Sequence, residues 1–204
     1  MLTGVLCPTS GTAVVAGLSV TSEDSALLLK HRIGVLPDRL GLFDHLSVEE
    51  HLLMTGPIYG LSKVETLYRA EQLLRVFGLD QGRFTYADQC SHGTRKKTAL
   101  AMAALHNPQV LFLDEPFEGI EPVTARTIQV LLQALSGRGI TVFFTSHILS
   151  IAERIASHDI LIQKGRIVWN TPATELSSTL EDMYFNLVEP PIPEDLPWLG
   201  SQPS

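Results

Sequence analysis

The apolar run Val110-Leu111-Phe112-Leu113 ends in two consecutive carboxylates, Asp114 and Glu115, followed by Pro116. One helix-length further on, Thr145-Ser146-His147 closes a second apolar run. A carboxylate at a strand end can hold a hydrated divalent cation, a second can polarise a water, and an imidazole can reach a phosphate, so the set suits a magnesium-nucleotide site. In that reading Asp114 holds Mg²⁺ through water, Glu115 polarises the attacking water and His147 contacts the γ-phosphate. Positioning and charge neutralisation dominate phosphoryl transfer, so losing any one of the three is expected to raise the barrier by several kcal/mol. Only half of such a site is present. A Gly-x-x-x-x-Gly-Lys-Ser/Thr loop, whose backbone amides would cradle the phosphates, occurs nowhere in the 204 residues.

For these residues to meet, their strands must run parallel. Between Val110 and Thr145 lies a helix that begins at Pro122 and ends near Gly137-Arg138-Gly139. A strand, helix, strand unit of this length suits a parallel crossover, and parallel strands open their carboxyl ends on one edge, where doubly wound sheets bind ligands. Asp114, Glu115 and His147 are therefore expected to converge there.

The other elements follow from local signals. Turn chemistry at Pro8 to Gly11 precedes a short strand, Thr12 to Gly17, and His31 to Pro37 reads as another. Ser47-Val48-Glu49-Glu50 is a capping box opening a helix to about Tyr59, and Ser62-Lys63-Val64-Glu65 opens a second. A third runs from Ser91, as cap, to Leu105. Its Arg95-Lys96-Lys97 could neutralise phosphate but reads as a solvated face. A helix near Leu149 to Ala156, a hairpin turning at Lys164-Gly165, a last helix near Leu176 to Val188 and a proline-rich tail complete the chain.

Composition narrows the class. Hydrophobic residues make up 45% and charged residues 18%, which describes a globular protein able to bury a core. A formal charge of −7 argues against a general nucleic-acid binder, because phosphate backbones reward clustered Lys and Arg. Cys7 and Cys90 lie far apart, so neither a disulfide framework nor a zinc site is indicated, and a reducing cytosol is the default. Apolar runs such as Ala99 to Leu105 fall well short of the roughly eighteen residues a membrane span needs. His31, His45, His51, His106 and His158 show no metal spacing and read as structural or surface residues.

In order and type, these motifs resemble the nucleotide-binding subunits of ABC transporters, over nearly all of the chain up to about residue 188. Leu111 to Pro116 resembles the Walker B strand with its catalytic glutamate, Glu118-Gly119-Ile120-Glu121-Pro122 the D-loop, and Ser146-His147 the switch histidine. Cys90-Ser91-His92-Gly93-Thr94 stands where the family carries its Leu-Ser-Gly-Gly-Gln signature, and Asp38 where the Q-loop usually has glutamine. Met1 falls inside what would be the Walker A helix. The resemblance implies an α/β fold: a RecA-like P-loop NTPase core, incomplete for want of its N-terminal strands and phosphate loop, with an inserted α-helical subdomain. The expected division is residues 1–43 as residual core with the Q-loop region, 44–100 as helical subdomain with the signature, 101–170 as core with Walker B, D-loop and switch histidine, and 171–204 as C-terminal helix and tail.

The resemblance further implies ATP and Mg²⁺ as cofactors and a homo- or heterodimer in which Ser91, His92, Gly93 and Thr94 close the partner's nucleotide. A capped helix start with a glycine exposes amides and the positive end of the helix dipole to an anion, which gives that role a physical basis. A membrane permease is the implied partner, docking a coupling helix around Asp38 to Leu46, and the implied location is cytoplasmic, peripheral on the inner face of the membrane. No nucleic-acid partner is expected. Glu118 and Glu121 add negative charge beside a triphosphate and call for a compensating cation. The function implied is ATP binding and hydrolysis that energises transport, with this chain alone weak or inactive for want of Walker A. Alternatives are a non-hydrolytic partner that lends its signature in trans, an inactive fragment, and an ABC-type ATPase of DNA repair, which would carry long heptad insertions not seen here.

Overall fold

The structure is a computed structural model and describes residues 1–176 and 178–187. It divides into two compact units, Met1–His147 and the chain from Ile148 onward. The proline-rich tail and the end of the last expected helix lie outside the described residues.

The first unit opens with a hairpin of β1 (Val14–Val15) and β2 (Leu18–Ser19), then α1 (Glu23–Arg32) and β3 (Ile33–Leu36). Three helices follow, α2 (Val48–Ile58), α3 (Lys63–Val76) and α4 (His92–Leu105), before β4 (Val110–Leu113), α5 (Pro122–Gly137) and β5 (Thr141–Phe144). The second unit holds α6 (Leu149–Ile155), an antiparallel hairpin of β6 (His158–Gln163) and β7 (Arg166–Pro172), and α7 (Leu180–Leu187).

The central sheet has the order β3-β4-β5, all parallel. Leu111 and Leu113 of β4 and Ile33 and Leu36 of β3 are at most 3% exposed. Burying such a side chain contributes about 1.5–3 kcal/mol, so the sheet's core face fixes its register. Helix α4 packs on β3 at close range: a Cβ on Gly34 would overlap the carbonyl oxygen of Ala103 and come within 2.7 Å of Leu111 Cδ2. Only glycine permits this approach of helix backbone to strand.

Local chemistry starts each helix of the α2–α4 cluster. The Ser47 amide donates to Glu50 Oε2 at 2.7 Å while the Glu50 amide donates to Ser47 Oγ at 3.2 Å, a complete capping box. Ser62 accepts the Glu65 amide and Ser91 the Thr94 amide in the same way. Arg83 ties the cluster together by pairing with Glu49 and, at 2.9 Å, with Glu71.

Two local expectations are corrected. His31 and Arg32 are not strand residues; they close α1, whose acidic start (Glu23, Asp24) and basic end (Lys30, His31, Arg32) complement the helix dipole. Lys96 is not part of a solvated face; it is 4% exposed. Cys7 and Cys90 are free thiols, and among the described residues no helix is long and apolar enough to cross a membrane.

Candidate functional site

Strands β4 and β5 pair in parallel with Val110 opposite Thr141 and Leu113 opposite Phe144. The ladder extends one step past both neighbours of β4: the Asp114 amide donates to Leu36 O at 2.8 Å and the Thr145 amide to Leu113 O at 2.9 Å. Asp114 and Thr145 therefore leave the sheet side by side at its carboxyl edge, with Asp38, exposed, two residues beyond the end of β3 on that edge.

The three residues singled out from the sequence are brought together here. Thr145 Oγ1 donates to Asp114 Oδ1 at 2.6 Å and accepts the Glu115 amide at 3.0 Å. Glu115 Oε2 lies 3.0 Å from His147 Nδ1 and accepts the His147 amide at 3.3 Å. The His147 side chain is 62% exposed and that of Glu115 23%, so the imidazole faces solvent with the carboxylate behind it. Thr145 is the member sequence reasoning gave no role; its readable signal was a β-branched hydroxyl immediately after an apolar parallel strand.

Glu115 adopts φ +43°. For a residue with a Cβ this left-handed conformation costs roughly 1–2 kcal/mol and persists only when several contacts fix it. Those contacts are on both sides of the residue: Thr145 Oγ1 on its amide, His147 on its carboxylate, and on its carbonyl the Glu118 amide at 3.2 Å and Lys96 Nζ at 2.5 Å.

The residues expected to form a D-loop run on from here. Glu118 gives its carbonyl to Lys96 Nζ at 2.7 Å, Gly119 turns the chain at φ +66°, and Glu121 precedes Pro122 at the start of α5 without capping it through its side chain. The residues expected to form the signature start α4, where Ser91 Oγ accepts the Thr94 amide at 3.1 Å and meets Thr94 Oγ1 at 3.0 Å. His92 lies over Gly119, its Cδ2 3.4 Å from where a Cβ on that glycine would stand, and a Cβ on Gly93 would stand 3.2 Å from Thr124 Cγ2. Ser91 and His92 are exposed. The start of α4 and the loop from Glu118 to Glu121 are thus adjacent parts of one surface.

No group of three or more His, Cys, Asp or Glu that could cage a metal occurs among the described residues. The residues present nevertheless fit Mg²⁺, which is held through one or two carboxylates with water and substrate phosphates completing its octahedron. Asp114, exposed and with one carboxylate oxygen steadied by Thr145, would suit as a ligand of that kind. An apolar groove of about 630 Å³, lined by Val14, Val15, Val110, Phe112, Thr141 and Phe143, lies at the opposite, amino end of β4 and β5 and carries none of these groups.

The fold defines a class: a RecA-like P-loop NTPase core with mixed α/β structure. It superposes on a solved ATP-binding subunit of an ABC transporter with a TM-score of 0.81, at 24% identity, covering 91% of this chain and 80% of that one. It also superposes on a dimeric ATP-binding cassette in a post-hydrolysis state bound to ADP and Pi, with a TM-score of 0.76, at 20% identity, covering 84% and 77%. The sequence profile of the ABC transporter family matches residues 1–118, and the chain belongs to that family. It is 30% identical over 171 residues to the probable multidrug ABC transporter ATP-binding protein YbhF of Escherichia coli, covering 82% of this chain and 28% of that protein. Over 180 residues it is 33% identical to the daunorubicin/doxorubicin resistance ATP-binding protein DrrA of Streptomyces peucetius and 29% identical to the linearmycin resistance ATP-binding protein LnrL of Bacillus subtilis. The chain spans 54% and 57% of those two relatives.

Proposed function

We infer that this chain is an ATP-binding and ATP-hydrolysing subunit that energises transport through a membrane permease. The observation that carries the reading is the meeting of Asp114, Glu115 and His147 at the carboxyl edge of a parallel sheet. Asp114 would hold the Mg²⁺ that accompanies the nucleotide, which supplies charge neutralisation; Glu115 orients and polarises the attacking water; His147, carried on Glu115, reaches the γ-phosphate. Ser91, His92, Gly93 and Thr94 present the start of α4 to the nucleotide of a second subunit, and Asp38 takes the Q-loop position. The named relatives are ATP-binding proteins of transport and resistance systems, and one structural neighbour is dimeric; the subunit so proposed pairs with a second copy or relative at the cytoplasmic face of the membrane and leaves substrate choice to the permease.

ATP turnover by the complex purified through this chain tests the reading. Glu115→Gln should lower kcat by at least about 100-fold, close to 3 kcal/mol of barrier, with the fold intact. Undiminished turnover after Asp114, Glu115 and His147 are all replaced by alanine would end it.

A second reading, a non-hydrolytic partner subunit, is favoured by the start of α4, which is capped and exposed at Ser91 and His92. In that case Ser91→Arg abolishes the complex's turnover and Glu115→Gln leaves it unchanged.

A further inference from the structure

We propose that Lys96 is a positioning residue: its buried ammonium, donating to the carbonyls of Glu115 and Glu118, holds the loop after β4 in the conformation that aims the Glu115 carboxylate at His147. The role in catalysis rests on the hydrolytic reading above; the structural role does not.

Lys96 lies one turn into α4 and is 4% exposed, an unusual place for a lysine. Its Nζ stands 2.5 Å from Glu115 O and 2.7 Å from Glu118 O. No carboxylate lies within ion-pair distance of it among the described residues, so the charge is spent on main-chain carbonyls. Burial lowers its pKa, and the charges of Glu118, Glu115 and Asp38 oppose that shift. A cation is thereby placed behind the acidic loop, where the sequence called for one to offset Glu118 and Glu121.

The two carbonyls bracket the turn of chain that carries Pro116 and Phe117, and Phe117 is 2% exposed. Glu115 itself is left-handed at φ +43°. The Thr145 hydroxyl fixes its amide and His147 engages its side chain, but both contacts leave the carbonyl free to rotate away. The ammonium, together with the Glu118 amide, closes that side. Because Lys96 is rooted in the helix that begins at Ser91, a shift of α4 is passed to Glu115 through one side chain. The same lysine therefore links the segment offered to a partner's nucleotide with the carboxylate serving this chain's own.

Hydrogen exchange of the purified chain tests the structural half. In Lys96→Met the Glu115 and Glu118 amides should exchange at least tenfold faster while α2 amides are unchanged; Lys96→Arg, which restores a cationic donor, should stay within about threefold of wild type. Exchange at 115 and 118 unchanged in Lys96→Met overturns the proposal. If Lys96→Met fails to fold, Lys96→Gln supplies a neutral donor, and the proposal requires faster exchange at these two amides than in Lys96→Arg; equal rates overturn it. In the assembled complex, Lys96→Met should lower kcat about tenfold at unchanged KM and add nothing in a Glu115→Gln background. A rise in KM alone, or an effect that adds to Glu115→Gln, overturns the positioning role. A wild-type complex that turns over no ATP would fail the hydrolytic reading instead, and the exchange result would still decide what Lys96 holds.

Discussion

The hydroxyl of Thr145 donates to Asp114 Oδ1 at 2.6 Å, joining the carboxyl ends of β5 and β4 through a single side chain. The same oxygen accepts the Glu115 amide, so one hydroxyl orients both carboxylate residues. Thr145→Val keeps the shape and removes both the donor and the acceptor. It should lower stability by about 1–3 kcal/mol, the value of two hydrogen bonds, and lower ATP turnover of the assembled complex roughly tenfold. Thr145→Ser, which keeps the hydroxyl, should remain within about threefold of wild type; equal losses in both variants would show that packing, and not the hydroxyl, matters.

At Ser91 an observed role, the helix cap, is separable from a proposed one. As the cap of α4, Ser91 satisfies the Thr94 amide, so its loss to alanine should cost about 1 kcal/mol of stability. If the start of α4 also meets a neighbour's phosphate, an arginine there blocks the amides with its bulk. Ser91→Arg should then lose at least about 100-fold in turnover of the complex, whereas Ser91→Thr, which keeps the cap oxygen, should retain most activity. Comparable turnover in Ser91→Arg and wild type would remove the in-trans role and leave a plain helix cap.

Gly34 tests the packing of the sheet against α4. The added methyl of Gly34→Ala meets backbone at Ala103, which cannot swing aside as a side-chain tip can, and Leu111 behind it. Overpacking of this kind typically costs about 1–3 kcal/mol, and with backbone as the obstacle the upper part of that range is expected. Thermal unfolding should show Tm lowered by roughly 5 °C or more. An unchanged Tm would mean that α4 can retreat from β3 without loss.

Elements bounded by their own punctuation were legible in the sequence. Val110–Leu113 was read to the residue because Pro108 and the carboxylates delimit it, and the capped starts at Ser47, Ser62 and Ser91 follow from side-chain chemistry confined to four residues. The parallel pairing of β4 with β5 followed from the length of the crossover between them. What escaped depends on distant partners or on a broken periodicity. Helix α1 was missed because its apolar residues run consecutively and Leu27 and Leu28 stay 69% and 54% exposed, so no amphipathic stripe announces it; the acidic start and basic end were the available signal. Lys96 was misread because its two carbonyl partners lie 19 and 22 residues away, and nothing local says that the first turns of α4 face a loop. The pairing of β3 with β4 spans the whole α2–α4 cluster and left no local trace either.

Buried His51 and half-buried His106 should make the chain acid-sensitive. His51 is 0% exposed; its Nδ1 lies 2.7 Å from Ser47 O and its Nε2 accepts the Phe43 amide at 2.9 Å, an arrangement that fixes the neutral ring with its proton on Nδ1. A second proton on Nε2 would face an N–H. His106 has Nε2 2.9 Å from Ile33 O, lies 3.7 Å from the Tyr59 ring in a near-parallel stack, and has no partner for its buried Nδ1. Burial lowers the pKa of both rings. The unfolded chain then binds protons that the folded chain refuses, so stability is fully present above the ordinary histidine value of about 6.5 and is lost as pH falls below it towards the depressed folded values. Glu50 and Glu71, held below their ordinary value by the Ser47 cap and the Arg83 pair, act in a lower window, beneath about pH 4.5. Urea midpoints followed by far-UV circular dichroism should therefore fall between pH 7.5 and pH 5.5, and the fall should shrink in His51→Asn. A midpoint that stays level across that interval, or an undiminished slope after both histidines are replaced, would assign the acid sensitivity elsewhere.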